Sequence, residues 1–269
     1  MQDIRYAFRT LRNNPGFTLV VMATLGLGIG INTAIFSVVN GVLLRPLPYT
    51  EPDRIMTLWE ANPQLDIAQD QVAAATFLDW VERSESFASL GAYNYQSYVL
   101  GGAGKGEAVP VSGAQISPAI FGVVDVQPVL GRAFREEEAT PGNDFVVILS
   151  HGFWTQRFEA DRDVIGTVVY LGKAPYTVVG VMPPGFQFPP GAQDVQVWKP
   201  LAIDQALVDV RGMRVYNVVG RLKPGVSVDQ ARSEMAAISV GIQRENPRSN
   251  RGWGADVTPV LEQLVGGYT

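Results

Sequence analysis

Four short stretches carry residue types whose spacing could do chemistry. Gly26-Leu27-Gly28-Ile29-Gly30 sets three glycines in an apolar run, as a phosphate-cradling loop would. A dinucleotide fingerprint needs G-x-G-x-x-G between a strand and an amphipathic helix, however, and here the spacing is G-x-G-x-G with Ile at position 31. "GGAGKGE", residues 101–107, lacks the G-x-x-x-x-G-K-[ST] spacing of a nucleoside-triphosphate loop and falls in a turn between strand-like runs. Ser150 stands beside the single histidine, His151, but neighbours on a helix do not face each other and no third partner can be named, so Ser150 is better read as a helix cap. Glu136-Glu137-Glu138 point in different directions and suit a solvated helix start better than a cation site. The chain is therefore expected to be no enzyme, with no catalytic, cofactor or metal residues of its own.

The surroundings of the glycines give them a different task. From Phe17 through Leu44 there is no ionisable residue over roughly 28 positions, enough for about 42 Å of helix. That is long for a buried core helix and sufficient to cross a bilayer. A cleaved signal peptide would have a shorter apolar core followed by a small-residue cleavage site, so the span is expected to stay as an anchor. Gly26, Gly30 and Ala34 then fall four apart on one helical face, where small residues let another membrane helix approach; Asn32 and Asn40, carboxamides in hydrocarbon, also ask for a partner. Ahead of the span, Ile4, Ala7, Phe8 and Leu11 face away from Arg5, Arg9 and Arg12, which makes residues 1–16 an interfacial amphipathic helix and favours a cytoplasmic N-terminus.

The remaining residues, from about Arg45, contain no second span and should lie outside the cytoplasm. A net charge of −5 without a basic cluster argues against nucleic acid as a partner, and the absence of cysteine excludes disulfides and cysteine-metal sites. "RIMTLWEA" reads as a strand, and "TFLDWVERSESF" as a helix that Thr76 could cap. "SLGAYNYQSYVLGG" and "EAVPVSGAQIS" follow as strands. "MRVYNVVGRL" predicts a strand and "SVDQARSEMAAISVGIQREN" a helix with a Ser227/Gln230 capping box, a stripe of Ala231, Met235, Ile238 and Ile242, and a stop at Pro247. "GWGADVTPVLEQL" is expected to return as a strand, completing a second βαβ unit. Between these units residues 125–205 read as short strands, one aromatic helix "HGFWTQRF", and the stiff loop "MPPGFQFPPGAQD". Phe186 and Phe188 in that loop suit either packing under the insert or docking against a partner, and their exposure decides between the two.

Seven blocks in order, "NTAIFSVVNGVLLRPLPY", "EPDRI", "FLDWVERSESFASLGAY", "VLGRAF", "PYTVVGVMPPGFQFP", "DVQVWKPL" and "RLKPGVSVDQARSEM", resemble the first membrane helix and MacB-like periplasmic core domain of ABC-transporter permeases of the FtsX type. The duplicated orphan permeases of that superfamily are the nearest likeness. The resemblance implies an α+β fold: a membrane helix at 17–44, a porter-like α/β subdomain at 45–124 and 206–262, a β-rich insert at 125–205, and the start of the next membrane segment at 263–269. It also implies a homodimer or pseudodimer in the inner membrane, the helices of the rest of the permease as neighbours, a cytoplasmic ABC ATPase as partner, and an efflux-type cycle of mechanotransmission. A membrane-anchored extracytoplasmic binding or scaffold module is the alternative.

Overall fold

A computed structural model of the chain describes residues 15–42, 48–101, 108–192 and 194–266. Of the interfacial helix expected over 1–16, residues 1–14 lie outside the described residues, as do Arg45, most of the "GGAGKGE" turn and residues 267–269, while Pro15 and Gly16 belong to the long helix that follows. The chain divides into two units, Met1–Leu47 and Pro48–Thr269.

The first unit is helix α1, Pro15–Val42, 28 residues with no acidic residue in its first turn and no basic residue in its last. Leu19, Met22, Leu27 and Ile29 expose most of their side chains, and a Cβ added at Gly26 or Gly30 would meet nothing within 4 Å. The side chains of residues 17, 21, 31, 32 and 34–42, Ala34 and both asparagines included, lie outside the described residues. Among the described residues no helix is long and apolar enough to cross a membrane.

The second unit is built on strand β4, Phe87–Gly101, whose 15 residues give it a length of about 50 Å. Its first half belongs to an α/β layer. Strand β1, Ile55–Asn62, lies antiparallel between β11, Arg214–Leu222, and β12, Gly254–Pro259, and β11 pairs in turn with β4. Helix α2, Ala74–Arg83, connects β1 to β4, and helix α6, Val228–Glu245, connects β11 to β12. Each connection therefore joins parallel strands with one antiparallel strand between them, so two split βαβ units interlock. Their common core holds Met56, Leu58, Trp80, Val218, Met235 and Val257.

The second half of β4 belongs to a barrel. It pairs with β5, Val109–Ile116, and its end pairs with β8, Val168–Leu171. From β5 the ladder runs through β10, Val197–Pro200, then β7, Val146–Leu149, and β9, Ala174–Val181; β9 pairs with β8 and closes the ring. Val111, Val147, Leu149, Val169, Val178 and Val197 fill it. Closure leaves these six strands without a free edge inside the ring. The stretch 125–205 thus has its own core, but it borrows β5 and the second half of β4 from the segment that the sequence assigns to the porter-like part.

Several local expectations need correction. Helix α2 ends at Arg83, so Phe87 opens β4 instead of continuing the helical stripe. Thr76 is no cap: it sits inside α2, and its hydroxyl donates to Glu60 of β1. The stretch after β12 does not remain extended but turns into helix α7, Val260–Gly266, because Pro259 closes the strand. In α6 the capping box forms as the spacing requires, and Ala231, Met235 and Ile242 are buried; Ser239, not Ile238, completes the buried stripe, with Ile238 only partly covered. Two short helices were not anticipated, α3 at Ile120–Val124 and α5 at Gln205–Asp209. Helix α3 lies close over β4 at Gly91, where any Cβ would collide with Ile120.

Replacing Met235 by Ala should cost roughly 2–4 kcal/mol, and replacing Ile238 distinctly less, because only the former leaves a closed cavity. Equal losses for both in denaturation experiments would contradict this packing.

Candidate functional site

Residues 49–54, at the N-terminal edge of the second unit, are clamped to the rest of that unit. Period-2 alternation puts Val219 and Arg221 on the face of β11 opposite the α2/α6 core. Arg221 is only 6% exposed there. Its guanidinium donates from Nε to the carbonyl of Val123, at the end of α3, at 2.7 Å, and from a terminal nitrogen to the carbonyl of Thr50. Glu51, 58% exposed, stands 3.8 Å away and pairs with Arg54, which itself donates to the carbonyl of Leu222 at 2.7 Å. Thr50 completes the contact by donating its N–H to Val124 at 3.3 Å. Burial, together with neighbouring Arg54, lowers the pKa of Arg221, yet a guanidinium stays charged in a protein.

A second strap reaches the same place. Tyr49 donates its hydroxyl to the carbonyl of Gln187, in the loop after β9. The indole N–H of Trp198 on β10 donates to the carbonyl of Phe188 at 2.9 Å. Phe188 is fully buried, its ring edge-to-face with Tyr93 at 5.2 Å, and Phe186 is 9% exposed, edge-to-face with Trp198 at 5.4 Å. Both rings pack, so neither is presented for docking. Burial raises the pKa of Tyr49 and of Tyr93, with Tyr95 adding to it, which keeps both hydroxyls neutral. A Cβ on Gly191 of the loop would come within 2.8 Å of Leu264 on α7, and α7 also packs against the turn Pro52–Arg54. The start and the end of the folded unit therefore meet at one junction, tied to the barrel through residues 186–188.

The chemistry-bearing candidates have structural partners. Ser150 accepts from the N–H of Phe153 at 3.1 Å as the cap of helix α4, His151–Phe158, and the ring of His151 stacks edge-to-face on Trp154. Of the three glutamates, Glu138 pairs with Arg132 at 2.6 Å and accepts from the N–H of Arg135; burial alone would raise its pKa, but these bonds leave it lowered. Among the described residues no group of three or more His, Asp or Glu could hold a metal ion. A cleft of about 570 Å³ is lined by Ser97, Ser112, Ser150, Gln156, Gln196 and one carboxylate, Asp194.

Residues 18–238 match the family described as the MacB-like periplasmic core domain. The chain belongs to that family. Over those residues it carries the MacB-like periplasmic core domain of ABC-transporter permeases. Among solved structures, the periplasmic region of MacB from Actinobacillus actinomycetemcomitans superimposes with a TM-score of 0.56 at 15% identity, covering 80% of this chain and 94% of that one. A domain of a putative permease from Porphyromonas gingivalis gives 0.56 at 15% identity over 80% and 92%. The extracellular domain of the noncanonic ABC-type transporter YknZ from Gram-positive bacteria gives 0.52 at 15% identity over 76% and 99%. These likenesses show a shared mixed α+β fold. No curated protein matches the chain.

Sequence reasoning missed Arg221 as the centre of the junction. It reads as one charged residue in a strand, and only the covering by α3 makes its burial visible.

Arg221→Met should lower stability by about 1–3 kcal/mol, since it leaves the carbonyls of Val123 and Thr50 without their charged donor. An unchanged denaturation midpoint would show that the clamp contributes nothing. A pH prediction follows from Glu60, which is 1% exposed and whose pKa is raised by burial against the opposing effects of the Ala73 N–H and Arg214. A carboxyl raised on folding binds its proton more tightly in the native state, so its contribution to stability is present at and below the ordinary carboxylate range and is lost as pH rises toward the folded value. The difference in stability between wild type and Glu60→Gln should therefore change with pH just above that range; a pH-independent difference would refute it.

Proposed function

We propose that this chain is the N-terminal part of an ABC-transporter permease subunit whose extracytoplasmic domain transmits ATP-driven motion in an export or efflux cycle. In this reading α1 spans the inner membrane with its N-terminus in the cytoplasm, and Gly26, Gly30 and Ala34 form the face on which it meets the other permease helices and, through them, a second permease copy. ATP is hydrolysed by a separate cytoplasmic ATPase. The porter-like part, 45–124 with 206–262, and the β-rich part, 125–205, share β4 and would carry the motion together.

One observation carries the proposal beyond family membership. Residues 49 and 50, at the start of the second unit, are fixed to β11 and α3 through Arg221 and to the loop after β9 through Tyr49, so a displacement applied there has stiff, hydrogen-bonded routes into both parts of the domain. A flexible linker would dissipate it.

The test is made in the full-length permease. Alkaline carbonate should leave the chain in the membrane pellet. Leucine at Gly30 should reduce co-purification of permease subunits while leaving insertion intact, with leucine at Ile29, on another helical face, as the control. Arg221→Met should insert and assemble normally but transport poorly. Full transport by Arg221→Met would overturn the role given to the junction, and equal assembly of the two leucine variants would overturn the helix-packing face.

A further inference from the structure

The seam between the two split βαβ units contains a chamber of about 10 Å³, lined by Glu60, Thr76, Trp80, Ser239, Asn250 and Trp253. That volume is about one water. Alternation along β1 sends Glu60 to the same side as Met56 and Leu58, into the core, where its carboxylate is held by the N–H of Ala73 at 2.9 Å and stands 3.2 Å from Nε of Arg214. Arg214 is covered in turn by the ring of Trp253, 3.3 Å from its guanidinium carbon.

Two observations indicate that the polar groups here need one more member. Trp80 is fully buried, and its indole N–H has no acceptor among the described residues. An indole N–H left in that state costs the desolvation of the group, so buried tryptophans generally find a partner. The neighbouring bonds are also long: Thr76 to Glu60 at 3.3 Å and Asn250 to Thr76 at 3.4 Å, against about 2.7–3.0 Å for well-formed bonds of these kinds.

We propose that this chamber is a built site for one structural water, which accepts from Nε1 of Trp80 and donates to the oxygens of Glu60 and Thr76. The wall selects this ligand. An anion would meet the Glu60 carboxylate; a cation would meet the indole N–H, the Asn250 amide and the guanidinium beyond Glu60; and the volume excludes any organic molecule. Only a small neutral group that both accepts and donates satisfies all of them. Bound there, the water joins α2, β1 and the turn after α6, which are parts of both βαβ units, and adds one donor to those that Glu60 already has.

The decisive measurement is a structure of the full chain in detergent, at a resolution that shows ordered waters. A density peak at hydrogen-bonding distance from Nε1 of Trp80 and from Glu60 or Thr76 is the expected result. Absence of a peak while other buried waters are visible, or Trp80 donating directly to a protein acceptor, would overturn the proposal. In Trp80→Phe, which keeps an aromatic ring and loses only the N–H and one ring of bulk, the peak should vanish or move off its position; an unchanged peak would remove Trp80 from the site.

Discussion

Everything in the folded unit depends on β4 being shared. Its first half is hydrogen-bonded to β11 in the α/β layer and its second half to β5 in the barrel, without a break between them. Both cores are thus nucleated on one strand, and neither can rotate about β4 without breaking ladder hydrogen bonds, each a backbone group that would be costly to leave unpaired in the interior. The pairing of β4 with β5 is the longest in the barrel, and Tyr93, in the middle of β4, packs against Phe188. A domain assembled this way moves as a body unless the straps at its junction yield first.

Two of the buried charged clusters lie on opposite faces of the same α/β layer, and they do different things. Arg221 is hydrogen-bonded to neutral carbonyls, with Asp125 and the exposed Glu51 as nearby counter-charges, so its contribution is mainly geometric: a planar fork that holds two separate segments at fixed angles. Glu60 and Arg214 are a true ion pair inside the helical core. Such pairs rarely add net stability over apolar residues of the same shape, but each strongly penalises arrangements that separate the partners. One face therefore specifies where residues 49–54 attach within the second unit, and the other specifies how the two βαβ units register against each other.

Family membership is carried by the match over residues 18–238, and the mixed α+β fold by structural likeness at low identity. At 15% identity the likeness shows the shared fold and nothing about individual side chains.

How much was legible in the sequence follows from the range of each interaction. The capping box at Ser227 and Gln230, the apolar stripe of α6, the strands β1 and β11, and Ser150 as a cap rest on contacts within a few residues, and a sequence displays those directly. The uncharged composition of residues 17–42 likewise suits a helix without reference to any other segment, and α1 covers them. Tertiary structure alone decided the rest. Phe186 and Phe188 could have faced outward or inward by any local rule, and they are buried because Trp198 and Tyr93, distant or on other strands, provide the surface beneath them. Closure of the barrel through β8, the burial of Arg221 under α3, and the chamber beside Glu60 each need segments tens to more than a hundred residues apart to arrive at one place, which periodicity in a single segment does not encode.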